Sequence, residues 1–311
     1  MRIVVHGQQA FGKAVLEALL KRGDEVVAVY VAPDKPGQKP DPLKEAAEAA
    51  GLKLIQPKSY RNKPEVWDEF RALKPDLQVM AYVTLFVPDE FLSIPTHGSI
   101  QYHPSLLPLY RGPSSINWPI IKGAKETGLS IFWPDNGLDT GDILLQKTTP
   151  IGPDDTLGSV YFDRLFPMGV AAMLEAVDLV KAGKAPRVKQ DETKATYEGW
   201  CSADNARIDW GKPLQQIYDL LRGCNPQPGA WTTLDGKRLQ VFEAKMLPAR
   251  QPNGIAGKMG EVVAIDDATI TVACADGRMQ ILRVKPADGP KAAAGAFALG
   301  AGLKTGMMLG G

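Results

Sequence analysis

Gly98-Ser99-Ile100-Gln101-Tyr102-His103-Pro104-Ser105-Leu106-Leu107-Pro108 is the stretch on which the reading of this chain turns. An apolar strand runs into a proline-bounded turn, which sets His103 at the end of the strand. Arg111-Gly112 follow at once, and Gly137-Leu138-Asp139-Thr140-Gly141-Asp142 forms a second turn downstream. The 36 residues from His103 to Asp139 match one strand-helix-strand excursion. Both side chains are therefore expected at one edge of a parallel sheet, where open α/β sheets bind ligands.

Working outward, Ile3–His6, Glu25–Val31, Leu77–Ala81, Gly98–Tyr102 and Leu129–Trp133 read as strands. Between them Phe11–Arg22, Pro42–Ala50, Pro64–Leu73 and Ser115–Lys122 have the spacing of amphipathic helices. This alternation predicts a doubly wound, Rossmann-like parallel sheet. Thr156–Ala182 has helical periodicity throughout, although Pro167 should kink it or split it in two. Gly183-Lys184-Ala185-Pro186 stops that helix and a polar, turn-rich stretch follows. The expected organisation is a catalytic domain over 1–185, a linker over 186–204 and a second domain over 205–311.

The second domain changes character after a short helix at Pro213–Arg222. Ala230–Leu234, Arg238–Ala244, Gly260–Ile265, Thr269–Ala273 and Met279–Val284 read as strands, with Asp-Gly turns at Asp235-Gly236 and Asp276-Gly277. They predict a small antiparallel sheet or barrel. Pro290 to Gly311 is rich in Gly and Ala without periodicity, and reads as a loose tail held at most by Leu303 and Met307.

At 311 residues, with 44% hydrophobic and 23% charged residues, the chain can bury two cores without disulfides or metals. A net charge of +1 provides no global field to gather nucleic acid. Cys201, Cys224 and Cys274 are scattered, with no Cys-x-x-Cys pair and only three histidines, so neither a disulfide framework nor a zinc site is expected. Met1-Arg2-Ile3-Val4-Val5-His6-Gly7 is already strand-like and lacks the regions of a signal peptide, and no stretch approaches a membrane span. A reducing cytoplasm is the expected compartment.

Gly7-Gln8-Gln9-Ala10-Phe11-Gly12-Lys13-Ala14 has the glycine-lysine spacing of a P-loop, but Ala14 lacks the hydroxyl that would ligate magnesium. The segment reads as a strand-to-helix turn of the scaffold.

His103-Pro104-Ser105-Leu106-Leu107-Pro108 with Leu138-Asp139-Thr140-Gly141 resembles the transformylases that use 10-formyltetrahydrofolate, whose motif is Asn-x-His-x-Ser-Leu-Leu-Pro followed by Leu-Asp-x-Gly. The likeness covers nearly all of the chain. It implies a formyltransferase α/β domain followed by a small OB-like β-barrel, and 10-formyltetrahydrofolate as formyl donor. It further implies that His103, held as imidazolium by Asp139, donates a hydrogen bond to the developing oxyanion and a proton to N10. Asp139, rather than Asp142, aligns with the family's aspartate; it orients the ring and takes the proton of the nucleophile directly or through water. His6 and His97 read as structural.

The chain departs from the family at Gln101, where an asparagine is usual. Gln101 lies two residues before His103, on the same strand face, and could aim its amide at the same oxygen. Its extra methylene shifts the reach by about 1.5 Å, and a displacement of about 1 Å can cost ~100-fold in rate. Gln101 therefore either approaches from a retracted rotamer or contributes little.

A flat pterin calls for an apolar slot bordered by backbone groups. The resemblance places it against Leu85, Phe86 and Val87 and against Asp135, Asn136 and Gly137, with Ser105 and Leu107 in the same site. Arg111 either meets the glutamate tail of the folate or ties down its own loop.

Two branches of the family compete. The hydrolase domain of 10-formyltetrahydrofolate dehydrogenases is similar at Ser115-Ile116-Asn117-Trp118, Ser130-Ile131-Phe132-Trp133 and Ala195-Thr196-Tyr197-Glu198-Gly199, and carries a hydrophobic residue in place of Gln101. The methionyl-tRNA formyltransferases share Ala206-Arg207-Ile208-Asp209-Trp210 and Asn225-Pro226 with Pro228-Gly229-Ala230. Those transferases carry a long basic loop for tRNA, whereas here Pro33–Pro42 is short and holds two lysines, a weak grip on a polyanion. The first branch is favoured, and tRNA is the less favoured partner. No carrier or aldehyde dehydrogenase segment is expected within these residues, which leaves hydrolysis to tetrahydrofolate and formate or transfer to another acceptor. A non-catalytic folate-binding regulator is the remaining class, disfavoured by the presence of both His103 and Asp139.

Overall fold

A computed structural model describes residues 1–248 and 257–310, and the chain divides into two compact units. The first comprises Met1–Ser115, Thr127–Thr149 and Phe162–Glu198; the second comprises Ile116–Glu126, Pro150–Tyr161 and Gly199–Gly311. Of the stretch 186–204, residues 186–198 go with the first unit and 199–204 with the second.

The first unit is built on seven strands: β1 (Arg2–Gly7), β2 (Glu25–Val31), β3 (Leu54–Ile55), β4 (Leu77–Ala81), β5 (Ser99–His103), β6 (Glu126–Phe132) and β7 (Ile143–Pro150). They lie in the order β3-β2-β1-β4-β5-β6-β7. Alternation along β1 explains its central place. Ile3 and Val5 face one core with Phe11, Val15, Leu16 and Leu19 of the helix Gln9–Lys21, while Val4 faces another with Tyr30, Tyr60, Phe70 and Phe91. Each such side chain contributes about 1.5–3 kcal/mol on burial. A Cβ on Gly7 would stand 2.1 Å from the carbonyl oxygen of Ala81, so the glycine loop serves close strand packing.

The pairing is parallel from β3 through β5 and reverses at β6, where Gln101 faces Phe132 and His103 faces Ser130. A helix and a strand do lie between His103 and Asp139, but the strand returns antiparallel to β5, so the expected parallel edge is not formed there. The segment between β5 and β6 holds only the short helix Asn117–Ile121, and an antiparallel neighbour needs no helical crossover. β6 runs past His103, which pairs with Ser130, and ends beside Gln101, and the loop 133–142 brings Asp139 back.

Thr156–Ala182 forms three pieces: a turn of helix at Leu157–Ser159, a π-helical stretch at Val160–Leu165 and the helix Phe166–Lys181. Pro167 falls just after the π-helical stretch, at the start of the last piece, and the backbone stays helical through Leu165.

In the second unit β8 (Trp231–Leu234), β9 (Lys237–Pro248), β10 (Val262–Ile265), β11 (Ile270–Ala273) and β12 (Gly277–Pro286) follow the order β10-β11-β12-β9-β8, with β13 (Ala292–Ala293) on β12. This linear order makes the described strands a curled half-barrel. Asp235 and Gly236 join β8 to β9 with positive φ angles of 48° and 73°, a hairpin turn of type I′. The expectation of a loose tail is corrected by the helix Ala294–Ala301, which buries Ala294 and Ala298, with Leu303 and Leu309 buried after it. Small residues pack closely without the large-apolar periodicity that marks most helices. Gly311 lies outside the described residues.

Among the described residues no helix is long and apolar enough to cross a membrane.

Candidate active site

β5 delivers His103 to its last strand position, buried, with Pro104 turning the chain away. Its Nε2 lies 2.9 Å from the carbonyl oxygen of Tyr110. A carbonyl only accepts, so Nε2 carries a proton and donates it. The other ring nitrogen, Nδ1, is 3.6 Å from Oδ2 of Asp139, and both side chains are less than a tenth exposed. The same Oδ2 accepts from the backbone N–H of Gly112 at 2.8 Å.

Asp139 reaches this position in a left-handed backbone conformation, φ 55°, which costs a non-glycine residue about 1–2 kcal/mol. The loop around it is closely tied. Trp133 N–H donates to the carbonyl of Asp142 at 2.8 Å, and a Cβ on Gly141 would fall 1.7 Å from the carbonyl oxygen of Trp133. Asp135 accepts from Gly137 N–H at 3.0 Å and from the Thr140 hydroxyl at 2.5 Å, while Asn136 accepts from Asp89 N–H at 3.1 Å.

Gln101 is half-buried and lies on the His103 face of β5 by strand alternation. Among the described residues no hydrogen bond engages its side-chain amide. The Ser105 hydroxyl donates to the carbonyl of Leu109 at 2.6 Å. Leu107 is buried, and its N–H donates to Ser130 Oγ at 3.0 Å. Gln146 donates to the Leu107 carbonyl at 2.9 Å. Val87 is buried beside Phe91 and Met80, Leu85 is partly buried, and Phe86 is 50% exposed with the Arg61 guanidinium 4.7 Å above its ring.

Arg111 is fully buried and spends all five N–H donors inside the protein. Nε and Nη2 donate to Gln190 Oε1 at 3.1 and 2.8 Å, both terminal nitrogens donate to the Glu192 carboxylate at 2.6 and 2.9 Å, and Nη1 donates to the Tyr197 hydroxyl at 2.6 Å. Of the two readings of Arg111, these bonds describe the one in which it ties down its loop. The hydrogen bond from Arg111, with its charge, holds the Glu192 carboxyl below the ordinary carboxylate range.

An imidazole anchored at one nitrogen and facing a carboxylate with the other can hold a proton between the two groups and release it to a reacting atom. Among the described residues no cluster of His, Cys, Asp or Glu is arranged to hold a metal ion.

Residues 1–177 match the formyl transferase family and residues 201–302 match the formyl transferase C-terminal domain. The chain belongs to the formyl transferase family. It is 46% identical over 250 residues to the cytosolic 10-formyltetrahydrofolate dehydrogenase of Homo sapiens, a match covering 79% of this chain and 28% of that protein. It is 38% identical over 315 residues to the methionyl-tRNA formyltransferase of Geobacter metallireducens, covering 100% of this chain and 99% of the relative. The chain thus spans less than a third of the length of the human dehydrogenase and nearly all of the bacterial transferase. HypX from Aquifex aeolicus, solved in complex with tetrahydrofolic acid, shares the fold with a TM-score of 0.66 at 22% identity, covering 98% of this chain and 48% of HypX.

The structure brings the two residues of the sequence motif, His103 and Asp139, to 3.6 Å of each other and surrounds them with groups from outside the motif. Gln190, Glu192 and Tyr197 fall in the polar stretch that the sequence predicts as a linker. A signal was present in the string Ala195-Thr196-Tyr197-Glu198-Gly199, which is shared with one family branch and pairs here with the His103 turn. Arg111 N–H donates to the Thr196 carbonyl at 2.9 Å, and Glu198 N–H donates to the Arg111 carbonyl at 3.1 Å.

Proposed function

We propose that this chain removes the formyl group from 10-formyltetrahydrofolate and gives it to water, yielding tetrahydrofolate and formate. The observation that carries this reading is the buried pair of His103 Nδ1 and Asp139 Oδ2, 3.6 Å apart and anchored on its outer sides by Tyr110 and Gly112. Water adds to the formyl carbon as Asp139 accepts its proton. The resulting oxyanion is stabilised by the protonated His103, and Gln101 lies on the strand face from which an amide could add a second donor. The bond from carbon to N10 then breaks, N10 takes a proton from the pair, and formate leaves. The folate lies along the loops of Leu85–Val87 and Asp135–Gly137, whose backbone groups border the pterin. The three buried cysteines, none of them in a disulfide among the described residues, suit a reducing cytoplasm.

Methionyl-tRNA is the second acceptor to weigh, favoured by the end-to-end match with the Geobacter enzyme. Against it stands the short 33–42 segment with its two lysines. Incubation with 10-formyltetrahydrofolate alone, following tetrahydrofolate and formate, separates the two. Steady release of formate is expected; release seen only when methionyl-tRNA is added, with label appearing on the tRNA, would replace hydrolysis by transfer.

A further inference from the structure

Asp139 faces His103 from a left-handed backbone conformation, φ 55°, which aspartate tolerates better than most non-glycine residues and which persists where the surroundings hold it. The group that spans this turn is the side chain of Gln190, which is 8% exposed. Its Nε2 donates to the carbonyl of Asp139 at 2.9 Å and to the carbonyl of Gly141 at 2.7 Å. Its Oε1 accepts from Nε and Nη2 of Arg111. The amide orientation is fixed by chemistry, because a guanidinium only donates and a carbonyl only accepts. Arg111 is in turn continuous with Tyr110, whose carbonyl anchors His103, and with Gly112, whose N–H holds the Asp139 carboxylate. The two loops that carry the reacting pair are thus fastened to each other through one buried amide.

We propose that Gln190 is a positioning residue for formyl transfer: its amide holds the left-handed turn from which the Asp139 carboxylate meets His103. This rests on the formyl-transfer reading above. Gln190 has no part in moving protons; it sets where the carboxylate stands. A glutamate there would keep the size of the side chain and its bonds to Arg111, lose both donated bonds, and set an oxygen against two carbonyls. Methionine keeps the volume and loses every bond.

The test compares Gln190→Glu and Gln190→Met with the wild type in steady-state deformylation and in amide hydrogen exchange at Gly112, whose N–H reports the position of the carboxylate without reference to activity. Both variants are expected to lose about 10- to 100-fold in kcat, the scale of a misplacement of ~1 Å, with KM for the folate within about threefold. Gly112 exchange is expected to rise at least ~10-fold. A structural role alone would leave Gln190→Glu, which keeps the Arg111 bonds, close to wild-type turnover. The proposal is overturned if kcat in both variants stays within about twofold, or if kcat falls while Gly112 protection is unchanged. Should Gln190→Glu not fold, Gln190→Met decides by the same two readings. If the wild type acts on neither water nor methionyl-tRNA, the formyl-transfer reading fails; faster Gly112 exchange would then support the clamp and unchanged exchange would overturn it.

Discussion

His6 and His103 lie on the same sheet, and what their ring nitrogens meet differs in a way that bears on which of them can do chemistry. His6 pairs with Met80 across β1 and β4, and Met80 pairs with Gln101 across β4 and β5. His6 thus shares a row with Gln101, two residues short of the row of His103. His6 is buried, with both ring nitrogens occupied. Gln78 donates to its Nδ1 at 2.8 Å, and its Nε2 donates to the Tyr60 hydroxyl oxygen at 2.9 Å. Burial pushes its pKa down to about 3. His103 has one nitrogen tied to a carbonyl and the other turned to a carboxylate. The first arrangement excludes the proton; the second sets a carboxylate beside the ring.

The comparison breaks most severely if the carboxylate beside His103 is dispensable. Asp139→Asn keeps an acceptor for the Gly112 N–H but removes the charge, and deformylation is expected to fall by about 100-fold, the low end of general acid-base contributions. Steady-state assay of formate release checks this. Activity within threefold of wild type would make Asp139 a structural residue like His6.

His6 sharpens the other side. Between about 3 and its ordinary value of 6.5 the unfolded chain binds a proton that the folded chain refuses, so stability falls as the pH drops through that window. Each pH unit below 6.5 costs about 1.4 kcal/mol, or ~2 kcal/mol at pH 5. Urea unfolding at pH 7.5 and pH 5.0 should show this loss in the wild type and a smaller one in His6→Gln. Superimposable pH dependences would mean that His6 is not held neutral by burial.

The smallest expected effect is at Gln101. Restoring the family's residue in Gln101→Asn should raise turnover by a few-fold, up to ~10-fold, if this position tunes the oxyanion contact. No gain with water or with methionyl-tRNA would place Gln101 outside the reaction.

The strand positions were legible because β1 and β2 are short, nearly continuous apolar runs bounded by polar or glycine residues, as central strands covered on both faces are. The motif also names His103 and Asp139, which the fold brings to 3.6 Å of each other. The route between them was not legible, since strand direction depends on which neighbour β6 pairs with, and a spacing of 36 residues fits either direction. The clamp of Arg111 and Gln190 was hidden for a related reason: its two residues are 79 apart in the chain, and Gln190 sits in a polar stretch that composition alone marks as exposed. The helix Ala294–Ala301 escaped because small residues carry little hydrophobic signal.

The most direct test of the account is single-turnover deformylation of 10-formyltetrahydrofolate by wild type and His103→Ala, with folate binding measured on the same samples. The account predicts binding within about threefold and a rate at least 100-fold lower in the variant. Equal rates with equal binding would contradict it and remove His103 from the chemistry.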